Sequence, residues 1–316
     1  MQHEQFQAFL ELHQLPSEYL DQAFKAYIPI INDVLSRRLS KQPIVLGING
    51  CQGSGKSTTA AFFQHTFENI HQLKVVNVSL DDFYLSKAAR LKKSKTVHPL
   101  FATRGVPGTH DTDLALNTVQ QILRGETPFI SRFNKAVDDL FPQNEWQQAP
   151  ENVEVIILEG WFLCAHPQEQ SALLSPVNEL ERIEDREGIW RQHVNAQLET
   201  NYQELFNLVD CLVMLKAPSF EAVFSWRLEQ EQKLAKKLLT SINKEPNENE
   251  PTGTKAKESK AGSSGLMSEA EIKHFIDYFQ RLTEHMLIEM PERADHCYFL
   301  NTERQIVHEQ HRDAKH

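Results

Sequence analysis

Residues 47–63 read GINGCQGSGKSTTAAFF, placed between an apolar run and the start of a helical pattern. From Gly50 to Ser57 the string satisfies G-x-x-x-x-G-K-[ST], and nothing else in the chain restricts its fold so tightly. Glycines free the backbone for conformations closed to other residues, so consecutive N–H groups can turn inward around an anion. A helix opening near Lys56 adds the positive end of its dipole and its unpaired amides. The expected nucleotide cradle is therefore Gly50, Cys51, Gln52, Gly53, Ser54, Gly55, Lys56, Ser57 and Thr58. Lys56 supplies a mobile charge for the β- and γ-phosphates of ATP, and the Ser57 hydroxyl is placed to ligate Mg2+. A Gly/Ser-rich turn without chemistry is the alternative. The strand before it and the helix after it favour the cradle. Gly47 and Gly50 do not open a dinucleotide fingerprint, because the G-x-G-x-x-G spacing fails.

Short β-branched runs recur along the chain: 43–48, 74–80, 153–158, 211–216 and a weaker one at 297–300. Most are continuously apolar, as parallel strands covered on both faces are. Helical stripes lie between them. Trp190, Val194, Leu198, Tyr202 and Leu205 form one; Ile272, Phe275, Phe279, Leu282 and Met286 form another, opened by a Ser268-x-x-Glu271 capping box. This alternation predicts an α/β fold with a doubly wound parallel sheet flanked by helices. Leu20, Phe24, Ile28, Ile31, Leu35 and Leu39 predict a helix over 18–40, with Pro29 as a point of kinking or division. Residues 1–40 are read as a helical segment packed on a core domain of 41–316. Within that domain, 242–265 carries no aromatic residue and balances four Lys against four Glu, so a mobile polar insertion is expected.

A formal charge of −10 disfavours nucleic acid as a partner, since phosphate backbones select basic surfaces. Four widely spaced cysteines without a C-x-x-C pair, no basic-then-apolar leader and no long apolar run together predict a cytoplasmic protein with no membrane partner. No protein partner is evident.

The second strand ends in SLDDFY, 79–84, placing Asp81, Asp82 and Tyr84 on the sheet edge that carries the cradle. An aspartate there can accept the proton of an attacking hydroxyl or orient Mg2+; a helix N-cap is the competing role. The third strand ends in IILEGWF, so Glu159 is a candidate Mg2+ acid beside Ser57. HPLFATRGVPGTHDTDL, 98–114, offers Arg104, His110 and Asp111, and ISRFNKAVDD, 130–139, offers Arg132 and Lys135. These groups suit an anionic acceptor or the moving phosphoryl group, with solvated surface charge as the alternative. ARLKKSK, 89–95, reads as a solvated, lid-like face. Arg227 is placed either on adenine and phosphate or as an exposed helix charge. Cys51, among inward amides, is expected to be either a favoured thiolate or simple filler. A GTP switch is disfavoured: FNKAVDD carries Val137 where N-K-x-D needs its aspartate, and no D-x-x-G follows the second strand.

Taken together, this Walker A string with SLDDFY, RGVPGTHD and LEGWF resembles the P-loop kinases that include uridine kinase, phosphoribulokinase and bacterial pantothenate kinase. Within them the chain is most similar to the D-glycerate 3-kinase branch, over about residues 40–302. The resemblance implies the P-loop NTPase fold with a five-stranded parallel core, Mg·ATP as donor and a hydroxyl acceptor. It implies Asp81 as general base, Lys56 and Ser57 as phosphate and metal contacts, Glu159 as the acid of a Walker B strand, and Arg104 and His110 near the acceptor. One departure stands out. Where the branch tends to read P-R-[FY]-D-K-S, this chain has SRFNKA, with Asn134 for an acid and Ala136 for a hydroxyl residue. The expected activity is phosphoryl transfer from ATP to D-glycerate or a related hydroxy acid. A nucleoside or pantothenate acceptor, and a regulatory nucleotide binder without transfer, are the rival readings.

Overall fold

The computed structural model describes residues 2–39, 43–229, 232 and 268–312; the polar segment at 242–265 lies outside them. Two helices come first, α1 (Gln2–His13) and α2 (Glu18–Arg37). There follow β1 (Ile44–Gly50), α3 (Lys56–Asn69) and β2 (Val75–Ser79), then α4 (Lys87–Thr96) and α5 (Thr112–Leu123). Next come four two-residue strands, β3 (Phe129–Ile130), β4 (Phe133–Asn134), β5 (Asp139–Leu140) and β6 (Gln147–Gln148), ahead of β7 (Val155–Gly160). Helices α6 (Glu179–Glu184), α7 (Ile189–Thr200) and α8 (Gln203–Phe206) lead to β8 (Cys211–Lys216). A helix α9 over 220–229, α10 (Glu269–Glu289), β9 (His296–Leu300) and β10 (Ile306–His311) complete the described chain.

The main sheet runs β10-β9-β8-β1-β7-β2, with every neighbour parallel except β10. Five parallel strands are those expected from the β-branched runs. Every residue of β1 and β7 is buried, yet alternate side chains enter different cores. Val45, Ile156, Leu158 and Met214 pack with α5, α7 and α10, while Leu46, Ile48, Ile157 and Val213 pack with α1, α2, α3 and α9. A strand covered on both faces has no polar side to show, hence the unbroken apolar runs. The sixth strand, IVHEQH, escapes that logic. It is an exposed edge held by backbone pairing to β9, so its sequence carries no apolar signal.

Helix α2 departs from the expected face. Leu20 and Ile31 are buried and Phe24 and Leu35 pack partly buried against the same core as predicted, but the deepest positions also include Ala23, Ala26, Tyr27, Ile30 and Val34. Ile28 is 50% exposed and Leu39 86% exposed. Small alanines let the helix approach β1 and β8, and Pro29 sits within an undivided helix. Helix α1 closes this layer through Phe6, whose ring lies 5.6 Å from that of Phe62 on α3. Each such buried aromatic contributes about 2–3 kcal/mol. The late capping box forms at Ser268 and Glu271, and the Trp190–Leu205 stripe is buried across two helices rather than one.

Candidate active site

Parallel strands point their C-terminal ends to one edge, and there β1, β2 and β7 deliver the site. Helix α3 begins at Lys56, one residue after Gly55, which sits in the left-handed region at φ 92°. A side chain at Gly55 would meet nothing within 4 Å, so this turn faces open space, as a cradle for a ligand requires. At Gly50 the reverse holds: an added Cβ would come 2.5 Å from Ser54 Oγ. The Ser54 hydroxyl and Gln52 Oε1 are buried without a hydrogen-bond partner. From outside, Arg304 Nε donates to the Gly53 carbonyl at 2.7 Å, pairs with Glu229 and covers the Trp226 ring. Nothing in the sequence drew attention to Arg304, because its partners come from an irregular turn and a distant helix.

Glu159 is the hub. It faces Ser79 across the β2–β7 register, and Ser79 Oγ donates to its Oε1 at 2.7 Å. Ser57 Oγ donates to the same oxygen at 3.3 Å, and Lys56 Nζ lies 3.6 Å from Oε2. That second oxygen is buried and has no hydrogen-bond donor beyond its ion pair with the Lys56 ammonium. Burial works against the Lys56 charge, but Glu159 and then Asp81 outweigh it and raise its pKa. Lys56 is therefore a fixed cation, and Ser79 is a further contributor the motif did not reveal.

Asp81 and Asp82 occupy a 3-10 turn over Leu80–Phe83, and they do different things. Asp82 Oδ1 accepts from the Phe133 N–H at 3.0 Å, fastening β4; burial, partly offset by that bond, raises its pKa. Asp81 is gripped at both oxygens, by Tyr84 Oη on Oδ1 at 2.8 Å and Lys135 Nζ on Oδ2 at 2.7 Å. Burial pushes its pKa up, but Lys135, Lys56 and Tyr84 together hold it well below the usual carboxylate range. Asp81 is thus an ionised acceptor.

Around this pair the RGVPGTHD loop packs against α10. Gly105, at φ 135°, lies so close to Phe279 that a Cβ would fall 2.4 Å from its ring. His110 is buried with Nδ1 at 2.9 Å from Tyr202 Oη, its ring 4.4 Å from that of Tyr84 and its Nε2 without a partner. Burial drives its pKa down to about 3, so His110 is neutral. Arg104 pairs with Asp138 and lies over the Phe133 ring. Arg132 is turned to the 141–145 stretch, on the Phe141 ring and the Glu145 carbonyl, and among the described contacts none joins it to Asp81. Asp111 caps α5 through the Leu114 N–H.

Two expectations become more definite. The 89–95 stretch is solvated at Leu91, Lys92 and Lys95 as expected, but Arg90 within it is 1% exposed and donates to the carbonyls of Leu85, Ala102 and Asp138. Those three carbonyls lie on separate loops, which no local pattern connects. Cys51 is buried, and burial pushes its thiol up to about 12, against the pull of Lys56; it is filler rather than a thiolate. Arg227 lies over the Phe275 ring of α10.

The chain is 34% identical over 235 residues to the uncharacterized kinase mug58 of Schizosaccharomyces pombe, covering 69% of this chain and 83% of that one. It is 27% identical over 199 residues to a chloroplastic D-glycerate 3-kinase of Arabidopsis thaliana, covering 60% of this chain and 41% of that one. Its fold matches a D-glycerate 3-kinase structure from Cryptococcus neoformans at a TM-score of 0.69, with 22% identity, covering 89% and 96% of the two chains. No family model matches. Among the described residues no helix is long and apolar enough to cross a membrane.

Proposed function

This chain belongs to the P-loop kinases, on their glycerate kinase-like branch, and on that premise we propose that it transfers the γ-phosphoryl group of ATP to a hydroxyl of D-glycerate or a closely related hydroxy acid. The observation that carries the reading is the convergence on one sheet edge of an open-fronted glycine cradle, the Lys56–Glu159–Ser57 cluster and an ionised Asp81.

The amides of 50–58 hold the triphosphate, and Lys56 neutralises charge on the oxygens of the moving phosphoryl group. Ser57 and the Glu159 carboxylate would hold Mg2+, directly or through its water, and the ion would supply neutralising charge to the triphosphate. Asp81 takes the acceptor hydroxyl proton while that oxygen bonds to the γ-phosphorus and the bond to the β-phosphate oxygen breaks, releasing ADP. Tyr84 holds Asp81 in place. Lys135, 61% exposed on its side chain, and Arg104 are the cations assigned to the acceptor carboxylate; an incoming acid draws the ammonium off Asp81. His110 contributes a neutral ring wall and one free ring nitrogen on the acceptor side. Asp82 acts through the β4 loop and Arg132 through its hairpin.

An ADP-release screen with Mg·ATP against D-glycerate, other small hydroxy acids, uridine and pantothenate tests the reading. Turnover confined to hydroxy acids supports it; turnover with uridine or pantothenate alone overturns the acceptor, and nucleotide binding with no acceptor response overturns the transfer.

A further inference from the structure

On the half of the sheet away from the cradle, four elements bring Asp33, Cys211, His296 and His311 together, and we propose that the first three form a site for one zinc-like divalent ion. Asp33 projects from α2, Cys211 opens β8, His296 opens β9 and His311 ends β10. Cys211 stands level with Leu46 in the sheet and His296 with Val213, whereas the cradle begins at Gly50, level with Leu215. The site is therefore separate from the nucleotide edge.

Distances favour an ion. Asp33 Oδ2 lies 3.1 Å from His296 Nε2 and 3.6 Å from Cys211 Sγ, and the three donor atoms all fall within 4.8 Å of one another. A tetrahedral zinc bound by thiolate, imidazole and carboxylate needs O···N and S···O edges of about 3.3 Å and about 3.5 Å. Thiolate with imidazole selects zinc-like ions over Mg2+ or Ca2+. Surrounding contacts orient each ligand. His296 Nδ1 meets His311 Nδ1 at 2.8 Å, which leaves Nε2 free for a metal when Nδ1 is the protonated nitrogen. The far oxygen of Asp33 accepts from Arg37 at 2.8 Å, and Arg37 also binds Asp295 at 3.0 Å.

Without an ion, the Cys211 thiol donates to Asp33. Binding replaces that proton: the S–H bond breaks, the sulfur pair goes to the metal and one proton leaves to solvent. Burial and the nearby carboxylates of Asp295 and Asp33 push the thiol pKa up, an opposition that a dication reverses. A thiolate and a carboxylate then balance the ion's two charges. The side chains of Asp33 and His311 reach solvent and give the ion its way in. Occupied, the site clamps α2 to the starts of two strands.

The test uses the full chain, freed of metal by chelator and then saturated with Mg·ATP so that the cradle is filled. Co2+ is expected to bind at one equivalent with a thiolate-to-cobalt charge-transfer band, and Zn2+ to displace it and raise Tm. The band should persist in Cys51→Ser and vanish in Cys211→Ser. Should Cys211→Ser not fold, His296→Gln replaces it and should bind Zn2+ at least about 100-fold more weakly. Absence of the band in the unmodified chain, its survival in Cys211→Ser or unaltered affinity in His296→Gln would each overturn the proposal and leave a hydrogen-bonded Cys–Asp–His cluster without metal.

Discussion

Lys135 Nζ lies 2.7 Å from Asp81 Oδ2, on the oxygen that Tyr84 does not hold. The two residues come from different elements, the β4–β5 turn and the 3-10 turn after β2, and their ion pair sets how acidic the assigned base is. Lys135→Met removes the cation that most offsets burial, so the Asp81 pKa rises. Because the ionised form accepts the proton, the acidic limb of kcat/KM against pH moves to higher pH in the variant. KM for a carboxylate acceptor rises as well. An unmoved limb in a folded variant would separate Asp81 from the titration.

His110 makes stability depend on pH. Its folded pKa, about 3, lies below the unfolded value of about 6.5, so the unfolded chain binds more protons between them. Stability is complete above the unfolded pKa and falls as pH drops through that window. From pH 7 to 5 the loss from this one group is about 2 kcal/mol. Denaturant unfolding at both pH values should show a smaller loss in His110→Gln; an identical slope would contradict the assignment.

Arg90 pins three loops from inside, with Asp138 Oδ2 at 2.9 Å as its ion-pair partner. Arg90→Met leaves three carbonyls without this donor, while the Asp138 carboxylate keeps Arg104; the unsatisfied acceptors should cost about 3–5 kcal/mol. Equilibrium unfolding measures it. A change below about 1 kcal/mol, the range of an exposed pair, would mean that the loops are held by other contacts.

Chemistry that is local in sequence was legible in it. The cradle, the two carboxylate strand ends and the five apolar strands all follow from adjacent residues, since a strand buried on both faces and a glycine turn each leave a contiguous mark. What depends on distant partners was not: Arg304 on Gly53, Ser79 on Glu159 and Arg90 on Asp138 each join elements far apart in the chain. The α2 face is legible at Leu20, Phe24, Ile31 and Leu35 but not at its centre, because Leu and Ile signal burial more loudly than Ala23 and Ala26, which a close helix–sheet approach selects. For Cys51, where the sequence leaves thiolate and filler both open, burial rather than the neighbouring amides decides for filler.

The central claim is that Asp81 receives the acceptor proton while the cradle binds nucleotide independently of it. Steady-state turnover of Asp81→Asn with the preferred acceptor, measured beside ATP affinity by calorimetry, tests this most directly. The account predicts ATP affinity close to that of the unmodified chain and turnover lower by ~10²-fold or more. Turnover that barely changes would contradict it.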